Sequence, residues 1–453
     1  MREKNIDLTS GVIWRKLLIF CLPLLLSSLF QQLYTTVDAI IVGQFVGKNG
    51  LAAVDSVYNF LKLPVNFFLG LSTGATIIIS QYFGAKNKKE LSEAVHTAIA
   101  FSFTGGLLLS VLGIVLAPYF LYKLEIPEDI YPITLDYVRI YFGGLAVSML
   151  YNIGAGIVRA MGDSKTPFYY LLISSTVNIL TDLLFVGVFR WGVSGAALST
   201  ILAQAVSAVL IIRFLMNTDM DCRLHMKSIK FYPKMLKAIF KVGIPIGLQA
   251  SLYPIANMMI QANINSMGTD NIAAWALCGK LDFLIWIIVD SLASAISTFV
   301  AQNFGAGKYD RIFKGVRVGL IMTLAIVFII SINLFFFSEP IGKLFINPAD
   351  YDIIPITGKL MRFLSPLYFL YVFGDVLSGA IRGTGETVKP MLLTLIGTCM
   401  CRILWILIVV PKNRNMMTII GSYPVSWFVT ALFFIGFYCV FKKKMMQVSY
   451  SEI

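Results

Sequence analysis

Long apolar runs, separated by short polar or basic segments, restrict the fold of this chain of 453 residues more than any other feature. A helix needs about 20 apolar residues to cross a bilayer, and the chain contains twelve such runs. Only 13% of the residues are charged and the mean hydropathy is +0.78, whereas soluble domains carry about 25% charged residues. The pattern predicts an all-α integral membrane protein with twelve transmembrane helices. The predicted spans lie near residues 17–45, 52–82, 94–117, 133–158, 168–189, 192–216, 238–264, 272–301, 316–337, 357–381, 390–410 and 417–441.

Lysine and arginine are concentrated in every second segment between the spans, for example in residues 86–89, 227–241 and 442–444. Basic loops of this kind face the cytoplasm. We therefore expect a multi-pass protein of the plasma membrane with both termini in the cytoplasm. These loops also account for the net charge of +13, so the expected partner is membrane lipid and not nucleic acid.

Two short motifs occur twice. QYFGAK at residues 81–86 recurs as QNFGAG at 302–307, and RAMGDSKTP at 159–167 recurs as RGTGETVKP at 382–390. Both pairs are separated by nearly half of the chain, which predicts two homologous halves of six spans each. An even number of spans gives the two halves the same orientation in the membrane. The predicted domains are an N-lobe at residues 1–216, a cytoplasmic linker at 217–237 and a C-lobe at 238–453.

Four polar residues of the N-lobe share one depth. Asp38 in span 1, Asp182 in span 5 and Thr200 in span 6 each lie a few residues from the outer end of their span. At 1.5 Å per residue this places them roughly 10 to 14 Å below the outer surface. Asn178 lies four residues before Asp182 and hence on the same helix face. The sequence predicts a buried site of two carboxylates, an amide and a hydroxyl.

Such a site suits either of two ions. Two acids that share a buried site can bind and release a proton near physiological pH, and an all-oxygen set can also hold a hard cation such as sodium. The structural alternative is that both acids are helix-end residues satisfied by backbone or headgroups. The two histidines, His96 and His225, lie near the cytoplasmic surface, and the sequence contains no CxxC pair. We therefore expect neither an enzyme nor any cofactor beyond the coupling ion.

The C-lobe carries acids of its own. Asp290 in span 8 and Asp375 in span 10 are candidates for a second proton site or a substrate contact, although Asp375 could instead pair with Arg382 in the adjoining loop. Lys280 and Asp282 are two residues apart and do not face each other on a helix. Exposure near the outer interface is the interpretation favoured for both.

The end of span 1, TTVDAIIVGQFVG at residues 35–47, together with the twin loops and the six-plus-six layout, resembles the multidrug and toxic compound extrusion (MATE) transporters. The resemblance implies a V-shaped pair of six-helix lobes that exports organic, often cationic drugs or toxins in exchange for protons or sodium. It also implies an N-lobe cation site formed by Asp38, Asn178, Asp182 and Thr200. The chain lacks the acid that one branch of the family uses in span 7, and the coupling ion stays open.

An ion-coupled exporter working by alternating access is therefore the leading hypothesis, with small organic molecules as substrates and a monomer as the expected state. The alternative within the same superfamily is a flippase for a lipid-linked saccharide or cell-wall precursor. That activity favours a strongly cationic cleft, and the intramembrane basic residues Lys62, Lys280 and Arg402 do not supply one. A membrane enzyme or a passive channel fits the repeat and the buried acids less well.

Overall fold

The computed structural model describes residues 7–451, and every regular element among them is a helix. Residues 1–6, part of the predicted cytoplasmic N-terminus, lie outside the described residues. The α-helices are α1 Ile13–Phe45, α2 Lys48–Gly84, α3 Lys88–Lys123, α4 Tyr131–Gly143, α5 Leu145–Ala160, α6 Lys165–Asp182, α7 Gly192–Asn217, α8 Pro233–Asn265, α9 Thr269–Gly305, α10 Tyr309–Gly342, α11 Ile353–Leu364, α12 Tyr368–Gly383, α13 Val388–Thr394, α14 Cys401–Ile408, α15 Met416–Ile420 and α16 Ser422–Ser451.

Eleven helical stretches in the described part of the chain are long and apolar enough to cross a membrane. The pair α4 and α5 passes the same test jointly, with a bend of 42° between them, and supplies a twelfth span. This pair coincides with the predicted fourth span. The prediction of an all-helical protein with twelve spans is therefore confirmed.

The repeat extends from the sequence to the backbone. Helices α1 and α8 each have 33 residues, and α2 and α9 each have 37. The turns between helices also match, because a left-handed backbone recurs at the same place in each half. The matched residues are Gly47 (φ 85°) with Gly268 (φ 94°), Lys86 (φ 55°) with Gly307 (φ 68°), and Gly162 (φ 85°) with Gly385 (φ 89°). The two halves therefore use the same turns as well as the same helix lengths.

The chain forms two compact units. The first contains Leu22–Gly247, and the second contains Leu8–Cys21 together with the chain from Leu248 onward. The N-terminal segment is held in the second unit by hydrogen bonds: the Leu8 amide donates to the Gln302 side chain at 3.3 Å, and Asn303 Nδ2 donates to the Leu8 carbonyl at 3.2 Å. These units are defined by contacts, whereas the predicted lobe boundaries at residues 216 and 238 concern homologous halves and stay a prediction.

Two spans contain a π-helical segment. Leu183–Val188 continues α6, and Leu395–Met400 joins α13 to α14. A π-helix widens the hydrogen-bonded turn by one residue, and such segments occur frequently at functional sites. Both of the unusual charged residues described below, Asp182 and Arg402, lie within two residues of a π segment.

Candidate cation site

Asp38 and Asp182 meet in the first unit. Asp38 lies in α1 and Asp182 is the last residue of α6, and their carboxyl groups interact with each other. Asp182 is fully buried. Neither of its oxygens, nor Oδ1 of Asp38, has a hydrogen-bond donor among the described residues. Two carboxylates in this position repel each other unless a proton or a cation lies between them.

An apolar cluster brings the two acids together. Its buried members come from α1, from the π segment after α6, and from α7. They are Ile41, Val42, Val186, Val193 and Ala196. Ile41 and Val42 lie one turn after Asp38, and Val186 lies one turn after Asp182, so packing of these side chains places both carboxyls on the same side of the cluster.

Asn178 supplies an amide one turn before Asp182. Its side chain is 1% exposed, and neither Oδ1 nor Nδ2 has a hydrogen-bond partner among the described residues. Leaving a buried polar group unsatisfied costs about 1 to 3 kcal/mol, which indicates that another group satisfies it in a functional state. Amide and carboxylate oxygens are the hard donors that sodium accepts.

Two neighbouring residues of α7, Ser199 and Thr200, carry hydroxyl groups. Thr200 Oγ1 donates to the Ala196 carbonyl of its own helix at 3.1 Å. The buried Ser199, one residue earlier, interacts with Asp182, and its Oγ also donates to the Gly195 carbonyl at 3.0 Å. Sequence reasoning from depth missed Ser199, since one residue along a helix changes depth by about 1.5 Å but direction by about 100°. The role of Thr200 stays a prediction.

Tyr137 of α4 is a further neighbour that the sequence did not identify. It interacts electrostatically with Asp38 and with Asp182, and it packs against the apolar cluster that holds them. A phenol can donate a hydrogen bond to a carboxylate. No motif distinguishes this tyrosine from the many others in the chain.

The acids of the second unit are arranged differently. Asp290 of α9 and Asp375 of α12 interact with each other and with Arg382, the basic residue of the second RxxG loop. Asp290 is exposed and Asp375 is partly buried. The ion pairs found among the described residues do not include Asp375 with Arg382, so the alternative in which these two residues pair stays a prediction. A second proton site at Asp290 and Asp375 stays a prediction.

The expectation for Asp282 was wrong. Lys280 is exposed as expected, but Asp282 is 5% exposed and accepts a hydrogen bond of 2.7 Å from the Tyr368 hydroxyl. The physical reason is helix geometry: two residues correspond to about 200° of rotation, so Lys280 and Asp282 point to opposite sides of α9.

Comparison with known proteins gives consistent results over the whole chain. The family model described as MatE matches residues 23–184 and 245–408. The chain is 28% identical over 450 residues to "Probable multidrug resistance protein YoeA" of Bacillus subtilis, covering 96% of this chain and 95% of that protein. It is 26% identical over 395 residues to "Probable multidrug resistance protein YpnP" of the same organism, covering 87% of each chain. The solved structure titled "Crystal structure of MATE in the bent conformation" superposes with a TM-score of 0.92 at 19% identity, covering 99% of this chain and 100% of that one.

Proposed function

The chain belongs to the MATE family and is therefore a multi-pass membrane transporter and not an enzyme, and from this premise we propose that it exports small organic compounds in exchange for protons or sodium ions. Relatives named as multidrug resistance proteins support the substrate class. We propose the plasma membrane as its location, with both termini in the cytoplasm.

The facing carboxyls of Asp38 and Asp182 carry this proposal. A buried carboxylate is costly, at about 2.5 to 3.5 kcal/mol even on insertion scales, and a pair in contact is more costly still. A proton or sodium ion that enters the site removes the repulsion. The site therefore has the property that ion coupling requires, which is a strong dependence of its stability on the bound cation.

Alternating access converts this dependence into transport. An ion can shift the equilibrium between two conformations only if it binds one of them more tightly than the other. In the proposed cycle the inward-facing state takes an organic substrate from the cytoplasm or the inner leaflet. After reorientation, cation binding at Asp38 and Asp182 favours substrate release and return.

The identity of the ion is the open part of the proposal. The interaction between the two carboxyls favours a shared proton, because two ionised acids at one site repel each other. The unsatisfied Asn178 amide adds an oxygen that a proton does not need but a sodium ion would use. We propose Asp38, Asp182 and Asn178 as the common site for either ion, with Thr200 as a further candidate ligand.

Efflux of a fluorescent organic cation from proteoliposomes tests the proposal, with proton and sodium gradients imposed separately. We expect gradient-driven efflux by the wild type and its loss, by about tenfold or more, in Asp38→Asn and in Asp182→Asn. Asp136→Asn is the matched control, because Asp136 is an exposed aspartate of the same unit. The gradient that drives efflux identifies the ion.

Undiminished efflux in both variants would exclude the carboxyl pair as the coupling site and leave Asp290 and Asp375 to be tested. A wild type that moves no organic cation under either gradient, but translocates a lipid-linked saccharide, would favour the flippase alternative.

A further inference from the structure

Arg402 is the largest fully buried side chain among the described residues, with an exposure of 0%. It lies at the start of α14, directly after the π segment Leu395–Met400, inside the eleventh predicted span. Burial of an isolated cation carries an effective penalty of several kcal/mol. A charged residue at such a position is a strong indication of function.

The contacts of Arg402 within the described part of the chain are with neutral groups. Its Nε donates to the Ser426 hydroxyl at 3.0 Å, and its Nη1 donates to Asn257 Oδ1 at 2.6 Å. The guanidinium carbon lies 4.3 Å from the ring centroid of Tyr423 and 5.3 Å from that of Tyr253. These dipoles and ring faces hold the guanidinium in one orientation but do not neutralise its charge.

One nitrogen of the guanidinium is unused. Nη2 of Arg402 has no hydrogen-bond partner in the described part of the chain, and none of the ion pairs found there includes Arg402. The buried acid Asp282 instead accepts the Tyr368 hydroxyl. A fixed, dehydrated guanidinium with a free N–H group is the arrangement that recognises a carboxylate or phosphate.

A group of aromatic rings lies beside Arg402 within the second unit. Tyr423 lies 5.4 Å from Trp275 and 5.9 Å from Trp427, and Trp427 lies 6.0 Å from Trp286, with all distances between ring centroids. Tyr423 and Trp286 are partly exposed, as are Tyr253 and Asn257, so this group of rings is not sealed from outside. Rings at such spacings accept a further flat ring by offset or edge-to-face contact.

We propose that Arg402 and these rings form a binding site for organic anions, specifically flat aromatic compounds that carry a carboxylate or phosphate. The anionic group accepts the free N–H of Arg402, and the aromatic body of the ligand contacts Tyr423 and the tryptophans. The substrates of the transporter then include aromatic anions as well as the organic cations named in the proposed function. This inference rests on the proposed function for transport, but binding at Arg402 does not require ion coupling.

Binding of a matched set of naphthalene probes tests the site on full-length protein in nanodiscs of neutral lipid. The probes are 2-naphthoate, 1-naphthyl phosphate, the uncharged methyl 2-naphthoate and the cationic 1-naphthylmethylamine. Their binding is measured by tryptophan fluorescence and by titration calorimetry. In wild type we expect at least one of the two anions to bind about 10- to 100-fold more tightly than the ester and the amine, as one charge-assisted hydrogen bond implies. Equal affinity for anion and ester would overturn the proposal.

Two variants locate the binding. Arg402→Gln removes the charge and should abolish the preference for the anion. Asn257→Asp keeps Arg402 and places a carboxylate beside Nη1, so it should fold at least as stably as wild type and also lose the anion preference. Because this second variant neutralises the buried charge, it keeps the test valid even if Arg402→Gln fails to fold.

Arg362→Gln is the control, since Arg362 lies in the same unit, is exposed and pairs with Glu339 at 2.6 Å. It should bind the anions like wild type. An anion preference that survives in Asn257→Asp, or that disappears in Arg362→Gln, would contradict a site at Arg402. Asp38→Asn should keep the preference while losing ion-driven efflux, so failure of the coupling proposal and failure of this one are distinguishable.

Discussion

At the scale of single residues, each unit holds buried charge that has no partner of opposite sign among the described residues. The first unit places two carboxyls against each other, and the second unit isolates one guanidinium among neutral groups. Both arrangements are unfavourable in the absence of a ligand of opposite charge. The unfavourable free energy of each site is therefore relieved when its ligand binds. The ligand is a proton or cation at the carboxyl pair and an anion at Arg402.

Asn178 gives a residue-scale prediction. Asn178→Leu replaces a buried amide that has no partner, so the melting temperature without added ion should stay the same or rise, because such replacements are nearly neutral or stabilising. The additional stabilisation by sodium or by low pH should shrink, since a ligand that binds the folded state stabilises it by RT ln(1 + [L]/Kd), which falls when the affinity falls. Thermal unfolding in detergent with and without the ion measures both effects.

Asn152→Leu is the control for Asn178→Leu. Asn152 Nδ2 donates to the Ser148 carbonyl at 2.9 Å, so this variant loses a hydrogen bond but should keep the full ion response. An ion response that is equally large in Asn178→Leu would refute a role for the amide.

Asp163 gives a second prediction at this scale. Its Oδ1 accepts the amides of Lys165 and Thr166 at 2.9 and 3.0 Å, and its Oδ2 accepts the Thr166 hydroxyl at 2.6 Å. These bonds close the first turn of α6, the helix that ends in Asp182. Asp163→Ala should therefore destabilise the protein by about 1 to 2 kcal/mol, as for other helix caps.

The twin loop supplies the control for Asp163→Ala. Glu386 holds the matching position, is more exposed, and bonds chiefly to the Lys389 ammonium at 3.1 Å. Glu386→Ala should change the melting temperature little, because exposed pairs contribute about 0 to 1 kcal/mol. Equal losses in the two variants would show that the cap is not what stabilises α6.

At the scale of helices, α2 and the first part of α8 approach each other closely within the first unit. Gly70 and Gly74 of α2 face Gly247 and Gly243 of α8, so two GxxxG motifs meet in antiparallel order. A Cβ on Gly70 would lie 2.3 Å from backbone atoms of Gly247, and one on Gly74 would lie 2.5 Å from Gly243 Cα. Small residues allow backbones to approach this closely in membranes.

Gly70→Ala and Gly74→Ala should therefore force the two helices apart. The clash involves backbone atoms, which rotation of a side chain cannot relieve, and overpacking of this kind costs about 1 to 3 kcal/mol. Gly436→Ala is the control because an added Cβ there meets no atom within 4 Å. Melting temperatures of the purified variants measure the difference, and parity between Gly70→Ala and Gly436→Ala would contradict the predicted contact.

At the scale of the whole molecule, the orientation in the membrane is the property to test. Single cysteines at Lys89 and Glu128, both exposed positions, lie on loops predicted to face opposite sides. A membrane-impermeant maleimide applied to intact cells should label Glu128→Cys only, and permeabilisation should expose Lys89→Cys as well. The reverse pattern would invert the predicted topology.

The background for this test replaces Cys401 and Cys439 with serine, because these are the two described cysteines that are not buried. The buried Cys222 of the linker can stay. Burial raises its pKa from about 9 to about 12, so at neutral pH almost none of it is the reactive thiolate. We expect Cys222 to be labelled only after denaturation.

Features that depend on position along the chain could be predicted from the sequence. Span number follows from the length of apolar runs, and the matched turns at Gly162 and Gly385 were indicated by the twin loops. The depth of Asp38 and Asp182 follows from counting residues at a fixed rise. These quantities are local, because each depends only on residues that are close in sequence.

Features that depend on direction around a helix required the tertiary structure. Only packing of the cluster around Val186 aims Asp182 at Asp38, and only the fold turns Asp282 inward and leaves Lys280 outside. The π segments at Leu183–Val188 and Leu395–Met400 change the direction in which the residues around them point. No periodicity in the sequence predicts these segments. A residue's position along the chain sets its depth in its own helix, but the other helices determine which side chains surround it. The meeting of the two acids and the isolation of Arg402 therefore depend on which helix faces pack together.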